Sequence, residues 1–223
     1  MRVLGIETSG PRGGVALAHD GRVVAARLFD KGMVHGREIA PGIRELCAEA
    51  GWPLESLELL ACDVGPGSYT GLRVGLAAAK GLAFALKKPV VGVPSLDALA
   101  EQGLGLARVL CPAVDAKWNQ IYGAVYVDGR RSTEFLAEKP DVFAARVPAD
   151  ALVLGDALDA YADLFRGRPQ APRERWDPHP GTVARLGERL HAQGVRHDAA
   201  SLVPLYLRPT EAEIKFGGAT PPS

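Results

Sequence analysis

Residues 57–94 read LELLACDVGPGSYTGLRVGLAAAKGLAFALKKPVVGVP, and this stretch decides the fold. Residues 57–64 form an apolar run that predicts a strand, and a glycine-rich loop follows. Residues 71–86 predict a helix, and the apolar residues 89–93 predict a second strand. A strand, a tight loop, a helix and a further strand in this order are typical of an α/β layered sheet.

The residues before this stretch predict a three-stranded meander. Residues 3–7, 13–18 and 23–28 are apolar runs. Asp20 and Gly21 separate the last two runs and favour a type I′ hairpin turn, because that turn needs positive φ at both central residues. We therefore expect the chain to open with three antiparallel strands.

A helix is predicted between the meander and the deciding stretch. Residues 35–51 place Ile39, Ile43 and Leu46 at helical spacing, and Gly51 is a plausible C-cap. Further along the chain, the pattern predicts several more elements. They are a helix capped by Ser95, strands at 131–137 and 151–154, helices at 156–165 and 181–193, and a short strand or docking segment at 205–209.

The second half of the chain repeats the opening. A shift of 108 positions places Ile6-Glu7 on Val114-Asp115, and Asp20-Gly21-Arg22 on Asp128-Gly129-Arg130. In both halves an apolar strand ends in an acid, and the same hairpin turn follows at the same distance. This match predicts two similar α/β lobes, with a boundary in residues 103–108. Two unrelated meanders remain the alternative.

The expected organisation is an N-terminal lobe at residues 1–104, a C-terminal lobe at 105–216 and a disordered tail at 217–223. Each lobe is expected to hold a mixed sheet with helices.

Composition and charge exclude several classes of protein. Lys plus Arg and Asp plus Glu are 26 each, which argues against a chain that grips nucleic acid by itself. The three cysteines form no C-x-x-C pair, the histidines form no metal cluster, and neither a signal-peptide core nor a membrane-spanning run is evident. We expect a cytoplasmic protein with no metal, no cofactor and no membrane contact.

The loop at residues 65–71 lies between a strand and a helix, where backbone N–H groups can cradle an anion. It is not a Walker loop, because Leu72 follows the last glycine where Lys is required. The alternative is a sharp turn shaped by Pro66 and the glycines, with Ser68 or Thr70 capping the helix.

Two acids end the equivalent strands of the two lobes and are expected to face each other across a cleft. Glu7 precedes Thr8-Ser9, and Asp115 precedes Ala116-Lys117. Paired acids beside hydroxyls suit a magnesium–phosphate site. However, Asp156 lies where a nucleotide would need room on the second lobe. The predicted site therefore resembles a magnesium–phosphate site that has lost its function. The residues of this vestigial phosphate-like site are Glu7, Thr8, Ser9, Gly65, Gly67, Ser68, Tyr69, Thr70 and Asp115.

The helix at residues 71–86 is apolar on all sides apart from Arg73 and Lys80. A helix on the outside of a sheet needs only one apolar stripe, so its second face must also be covered. Together with the helix at residues 35–51 it would present an apolar patch to another protein. Complete burial within one chain is the alternative.

These residues resemble a known family. The stretches GIETS (5–9), GPGSYTGLRVGLAAAKGL (65–82) and VVGVPSL (90–96), with Gly155-Asp156 and Tyr206-Leu207-Arg208, are similar to TsaB, formerly YeaZ. That family comprises bacterial tRNA threonylcarbamoyladenosine biosynthesis proteins within the actin-like (ASKHA, RNase H-like) superfamily. The resemblance is dense up to about residue 101 and thinner beyond.

The resemblance implies a non-catalytic partner of the paralogue TsaD and the ATPase TsaE, which together transfer a threonylcarbamoyl group to adenosine 37 of tRNAs that read ANN codons. TsaD holds its metal through a His-x-x-x-His helix motif, whereas here Ile39 follows His35 at that spacing. In the family the first two helices contact the partner or pair in a homodimer. The implied interface residues are His35, Ile39, Ile43, Leu46, Leu72, Arg73, Leu76 and Lys80.

Two departures from the family pattern are visible, namely Gly36 after His35 where Ser is usual, and Glu7 where Asp is commoner.

The leading hypothesis is an accessory subunit that contacts tRNA only indirectly, in which Leu76→Glu would break assembly and leave a folded monomer. An actin-like ATPase or phosphotransferase that uses Glu7 and Asp115 is the alternative. A protease is disfavoured, because no nucleophile–base pair is present by spacing.

Overall fold

The computed structural model describes residues 1–30 and 35–208, with His35 described by its backbone alone. Within these residues the strands are β1 (Arg2–Glu7), β2 (Gly14–His19), β3 (Arg22–Leu28), β4 (Leu59–Gly65), β5 (Val90–Pro94), β6 (Val109–Asp115), β7 (Ile121–Gly123), β8 (Tyr126–Val127), β9 (Arg130–Arg131), β10 (Leu136–Glu138) and β11 (Leu152–Leu154). The α-helices are α1 (His35–Glu49), α2 (Tyr69–Leu86), α3 (Ser95–Gly103), α4 (Pro140–Arg146), α5 (Ala157–Ala160) and α6 (Pro180–Ala192).

The first sheet has the strand order β3-β2-β1-β4-β5. β1, β2 and β3 form the predicted antiparallel meander, and β4 and β5 run parallel to β1. The β4-α2-β5 unit confirms the interpretation of residues 57–94. Ile6 of β1 pairs with Cys62 of β4. The next residues along these two parallel strands are Glu7 and Asp63, and they therefore lie side by side at the same edge of the sheet.

The second sheet, in the described residues, repeats the first four positions of this order and has no counterpart of β5. β7 and β8 continue one another along the same edge of β6, since Ala113 pairs with Gly123 and Leu110 pairs with Tyr126. β9 and β10 flank them, and β11 pairs with β6 in parallel on the other side. The predicted single strand at 131–137 is therefore two short pieces. The expectation of two similar α/β lobes is confirmed.

Both predicted hairpin turns are present. Asp20 and Gly21 have φ of 49° and 74°, and Asp128 and Gly129 have φ of 50° and 74°. Positive φ at both central positions defines a type I′ turn, which matches the right-handed twist of the flanking strands.

Helices cover both faces of the first sheet. α1 and α2 pack on the face that carries Leu4 and Ile6, and α3 and α6 pack on the face that carries Val3 and Ala61. The position of α6 differs from the prediction, because residues 105–216 were assigned to the C-terminal lobe. A Cβ at Gly187 would lie 2.4 Å from the Cβ of Ala61, so α6 sits close against the first sheet.

Three local predictions differ from the structure. The helix predicted at 156–165 is divided into α5 and a 3₁₀ turn at Ala162–Phe165, because Tyr161 has φ of −132°. α3 is preceded by Pro94, and Ser95 is its first residue and not its cap. The sequence pattern also missed α4, which begins with Pro140 at its first turn.

After α6 the chain returns along the first sheet, and we call residues 197–208 the C-terminal strap. His197 forms a β-bridge with Val90 on the edge strand β5, and Leu202 is buried in the core beneath α2. The Leu205 amide donates to the carbonyl of Val64 at 2.7 Å. The segment predicted at 205–209 therefore docks and forms no strand up to residue 208. Pro209 and the predicted tail at 217–223 lie outside the described residues.

Candidate functional site

The strand ends at the first sheet carry two buried acids. Glu7 ends β1 and Asp63 lies near the end of the neighbouring strand β4, and both side chains are 0% exposed. The Ser9 hydroxyl contacts both, at 2.6 Å from Glu7 Oε1 and 3.1 Å from Asp63 Oδ2. With Ser95, these residues form what we call the buried acid cluster.

Backbone and hydroxyl donors surround the two carboxyl groups. Glu7 Oε1 accepts from the amides of Ser9 at 2.6 Å and Gly10 at 3.1 Å. Asp63 Oδ1 accepts from the Gly65 amide at 2.7 Å and from the Ser95 hydroxyl at 2.6 Å. The cluster thus joins the loops after β1 and β4 to the start of α3.

The geometry of the cluster favours a bound proton. The Ser9 hydroxyl has a single proton but lies against two carboxyl groups, so one of these contacts needs a proton from a carboxyl. Burial, followed by the nearby charge of Asp63, raises the pKa of Glu7 to about 8. Burial also raises the pKa of Asp63. Within the described residues Glu7 Oε2 has no hydrogen-bond partner, which favours the neutral form of Glu7.

The glycine-rich loop packs directly on the residues that follow Glu7. A Cβ at Gly67 would lie 2.6 Å from the Ser9 carbonyl oxygen, and one at Gly71 would lie 2.0 Å from that of Thr8. The Ser68 amide donates to the Ser9 carbonyl at 2.8 Å, and the Ser68 hydroxyl accepts from the Gly71 amide at 3.2 Å. These glycines permit close backbone approach, and Ser68 caps α2.

A nucleotide phosphate with magnesium does not fit this arrangement. The carboxyl groups of Glu7 and Asp63 are enclosed, and the loop backbone lies against residues 8–9, where a phosphate would need space. In the part of the chain that the structure describes, no group of three or more His, Cys, Asp or Glu side chains could hold a metal ion.

Asp115 belongs to a separate cluster in the second lobe. Its amide donates to Asp156 Oδ1 at 2.8 Å, its Oδ2 accepts from Lys117 Nζ at 2.6 Å, and its Oδ1 accepts from the Tyr161 hydroxyl at 3.3 Å. Burial raises the pKa of Asp156 to about 6. Glu7 is enclosed and its acidic neighbour is Asp63. That Glu7 and Asp115 face each other across a cleft therefore stays a prediction.

Most of the predicted interface residues are buried in the chain's own core. These side chains are at most 5% exposed and pack between the helices and the first sheet. They are Ile39, Ile43, Leu46, Leu72 and Leu76. In this conformation they cannot contact a partner, so this part of the predicted interface is wrong, and the alternative of burial within one chain applies to them.

The remaining predicted interface residues have different positions. Lys80 is half-buried, and its Nζ donates to the carbonyls of Ala200 at 2.9 Å and Leu202 at 3.1 Å in the C-terminal strap. Arg73 is exposed on α2. His35 begins α1, and its side chain lies outside the described residues.

α2 exposes a different set of residues, which we call the α2 stripe. They recur about every four positions and are Tyr69, Arg73, Ala77, Gly81 and Phe84. Phe84 is 87% exposed, and a Cβ at Gly81 would meet nothing within 4 Å. This stripe is the surface that α2 offers to solvent, and it is largely apolar apart from Arg73.

Sequence reasoning missed Asp63 and Phe84. Asp63 could have been found, since it is an acid near the end of an apolar strand, as Glu7 is at the end of β1. Phe84 carries no such signal, because an exposed and a buried phenylalanine look alike in an apolar helix.

The fold places the chain in the class of actin-like (ASKHA, RNase H-like) proteins. An activator of 2-hydroxyisocaproyl-CoA dehydratase from Clostridium difficile shares the fold, with a TM-score of 0.53 at 10% identity over 89% of this chain and 99% of that chain. The family model described as TsaD, tRNA N6-adenosine threonylcarbamoyltransferase, matches residues 32–175.

Within this class the chain belongs to the TsaB (YeaZ) family. It is 36% identical to the tRNA threonylcarbamoyladenosine biosynthesis protein TsaB of Escherichia coli K12, over 98% of this chain and 99% of that protein. The solved structure of YeaZ from Pseudomonas aeruginosa matches with a TM-score of 0.81 at 28% identity, covering 92% of this chain and 99% of that one. No helix in residues 1–30 and 35–208 is long and apolar enough to cross a membrane.

Proposed function

We propose that this chain is a non-catalytic accessory subunit in the synthesis of threonylcarbamoyladenosine in tRNA. It binds and supports a TsaD-like threonylcarbamoyltransferase in the cytoplasm, together with a TsaE-like ATPase, and the product is the modified adenosine 37 of tRNAs that read ANN codons. The names of its relatives support the pathway. A lobe boundary near residue 104, with α6 packed back on the first sheet, and a tail from residue 217 remain part of this proposal.

The enclosed acid cluster is the observation that carries the non-catalytic role. Glu7 and Asp63 are 0% exposed, and all of their carboxyl oxygens except Glu7 Oε2 are engaged by Ser9, Ser95 and nearby amides. A magnesium-dependent phosphotransferase needs carboxylates that reach a metal and a phosphate. Enclosed and partly protonated carboxyl groups cannot do this in the described conformation.

The α2 stripe supplies the partner surface in this proposal. It combines small residues, which permit close helix approach, with two exposed aromatic side chains, Tyr69 and Phe84, of which Phe84 is the more exposed. An exposed apolar stripe of this kind supports the assignment of an interface to this face of α2. The same stripe can pair two copies of this chain when the partner is absent. The net charge of zero agrees with tRNA contact through the partner.

The test is assembly with the TsaD-like protein of the same genome. Ala77→Arg places a long cation in the middle of the α2 stripe, and we expect it to abolish co-purification and to lower threonylcarbamoyladenosine in cellular tRNA. Ala145→Arg, on the exposed side of α4, is the matched control and should leave both unchanged. Assembly that survives Ala77→Arg would contradict the proposed surface.

Nucleotide turnover tests the non-catalytic role separately. We expect calorimetric titration of the isolated chain with ATP and magnesium to give no binding, and phosphate release to stay at background. Turnover that is lost in Glu7→Gln would favour the phosphotransferase alternative and reject the accessory role.

A further inference from the structure

α3 lies between the two lobes and is enclosed by both. Each of its nine residues is buried or half-buried. Ser95 and Ala98 face the first lobe, where Ser95 binds Asp63 and Ala98 packs on the first sheet. Leu96 and Leu99, at the same helical spacing, face the second lobe. The helix therefore belongs to the cores of both lobes.

The contact of α3 with the second lobe is apolar and closely packed. Leu96 and Leu99 are 0% exposed and share one core with residues of β6, β8 and β11. A Cβ at Gly103 would lie 3.0 Å from Cδ2 of Leu110, so the end of the helix lies directly against β6. Separation of the lobes would expose these leucines to water. Domains of one chain move relative to each other by default, unless a hydrophobic interface of this kind holds them.

A polar contact fixes the first turn of α3 to the second lobe. The Tyr126 hydroxyl of β8 donates to Asp97 Oδ1 at 2.5 Å. Arg131 Nη1 lies 3.6 Å from the same oxygen, and the Arg131 guanidinium carbon lies 3.9 Å from the centre of the Phe135 ring. A hydrogen bond to a charged acceptor is stronger than one to a neutral acceptor. Rotation of the second lobe against α3 would break this contact.

The last turn of α3 holds the segment in which the chain returns from the second lobe to α6, residues 172–179. Gln102 is 7% exposed. Its Nε2 donates to the Asp177 carbonyl at 3.0 Å, and its Oε1 accepts from the His179 amide at 2.7 Å. Arg175 Nη1 donates to the Gln102 carbonyl at 2.6 Å. A hinge needs backbone torsions that can change, whereas two backbone groups of this segment are bonded to one buried side chain.

We propose that α3 is an interlobe lock, which holds the two lobes in one orientation and prevents them from opening and closing. Leu96 and Leu99 supply its apolar contact, and Asp97 and Gln102 close it at the two ends of the helix. A locked chain offers both lobes to a partner without the entropic cost of ordering them. The inference is independent of the proposed function, because it concerns the movement of the lobes and not what binds to them.

Pulsed electron paramagnetic resonance on the full chain tests the lock, because it measures the distance between two spin labels. Glu55→Cys and Ala145→Cys place labels at exposed positions of the first and second lobes, and the native cysteines are buried. We expect a single distance distribution, as narrow as that of Arg130→Cys with Ala145→Cys inside the second lobe. ATP with magnesium should leave it unchanged. A bimodal distribution, or one that shortens with ATP and magnesium, would overturn the proposal.

Variants of the two polar contacts test how the lock is closed. Asp97→Ala and Gln102→Ala should each broaden the interlobe distribution by about twofold, because each frees one end of α3. Tyr126→Phe removes only the hydroxyl and should broaden it in the same direction, which keeps the test available where Asp97→Ala does not fold. Gly71→Ala, on the opposite face of the first sheet from α3, is the destabilising control and should keep the wild-type width. Unchanged widths in the three variants, or equal broadening in Gly71→Ala, would reject the lock.

Discussion

Ser95, the first residue of α3, donates its hydroxyl to Oδ1 of Asp63 at 2.6 Å, and both side chains are fully buried. This hydrogen bond joins a helix on one side of the sheet to the acid at the end of β4. The sequence pattern predicted that the Ser95 hydroxyl caps α3, but in the structure this hydroxyl binds Asp63. The contact is part of a cluster that holds the strand ends of the first lobe together.

Ser95→Ala should lower the free energy of unfolding by about 2 kcal/mol, because it leaves a buried carboxyl oxygen with one donor fewer. Urea denaturation measures this value. Ser56→Ala is the control, since the Ser56 hydroxyl is buried without a described partner, and it should cost little. Equal losses in the two variants would show that the Ser95 hydrogen bond contributes nothing specific.

The stability of the chain should depend on pH through Glu7. Its folded pKa of about 8 lies above the ordinary glutamate value of about 4.3, so the folded state binds the proton more tightly than the unfolded state. The contribution of Glu7 to the free energy of unfolding is therefore complete below about pH 4. It is lost as the pH rises towards 8, by at most about 1.4 kcal/mol per pH unit.

Urea denaturation curves at about pH 5 to pH 8, between the unfolded and folded pKa values of Glu7, check this prediction. Glu7→Gln keeps a neutral side chain of the same length and should flatten the dependence. Glu55→Gln, at an exposed position, should retain the wild-type dependence. A wild-type slope that persists in Glu7→Gln would assign the titration to another group.

Two glycines of α2 should respond in opposite directions to alanine. A Cβ at Gly71 would lie 2.0 Å from the Thr8 carbonyl oxygen, so Gly71→Ala should destabilise the fold by about 2 kcal/mol. Gly81 has nothing within 4 Å, so Gly81→Ala should stabilise it by up to about 1 kcal/mol through helix propensity. Thermal denaturation of both variants measures the difference, and a stable Gly71→Ala variant would contradict the close packing of the loop.

Leu76→Glu should unfold the chain and not merely break assembly. Leu76 is 5% exposed and packs in the core of the first lobe, so a buried charge there should cost about 3 kcal/mol or more. Ala77→Glu, at the next and exposed position, should keep the wild-type circular dichroism spectrum and melting temperature. A folded Leu76→Glu monomer would restore Leu76 as a contact residue.

Local patterns in the sequence were sufficient for much of the fold. The Asp-Gly turns, the strand–loop–helix–strand order of residues 57–94 and the Ser68 cap depend on neighbours within a few positions, and each is present. The divided helix at 156–165 departs from its pattern because Tyr161 adopts an extended φ and contacts Asp115 from another element.

The sequence by itself determined the strands of the first sheet, the hairpin turns, the repeated lobe and the family, because short-range backbone preferences and a dense motif specify them. Only the tertiary structure decided which acid accompanies Glu7, which face of α2 is exposed, and that the C-terminal strap covers α2 beside Lys80. The physical reason is that these outcomes depend on strand register and on which distant segment removes an apolar surface from water. The sequence of an alanine-rich helix that is apolar on all sides does not indicate which of its faces will be buried against other segments.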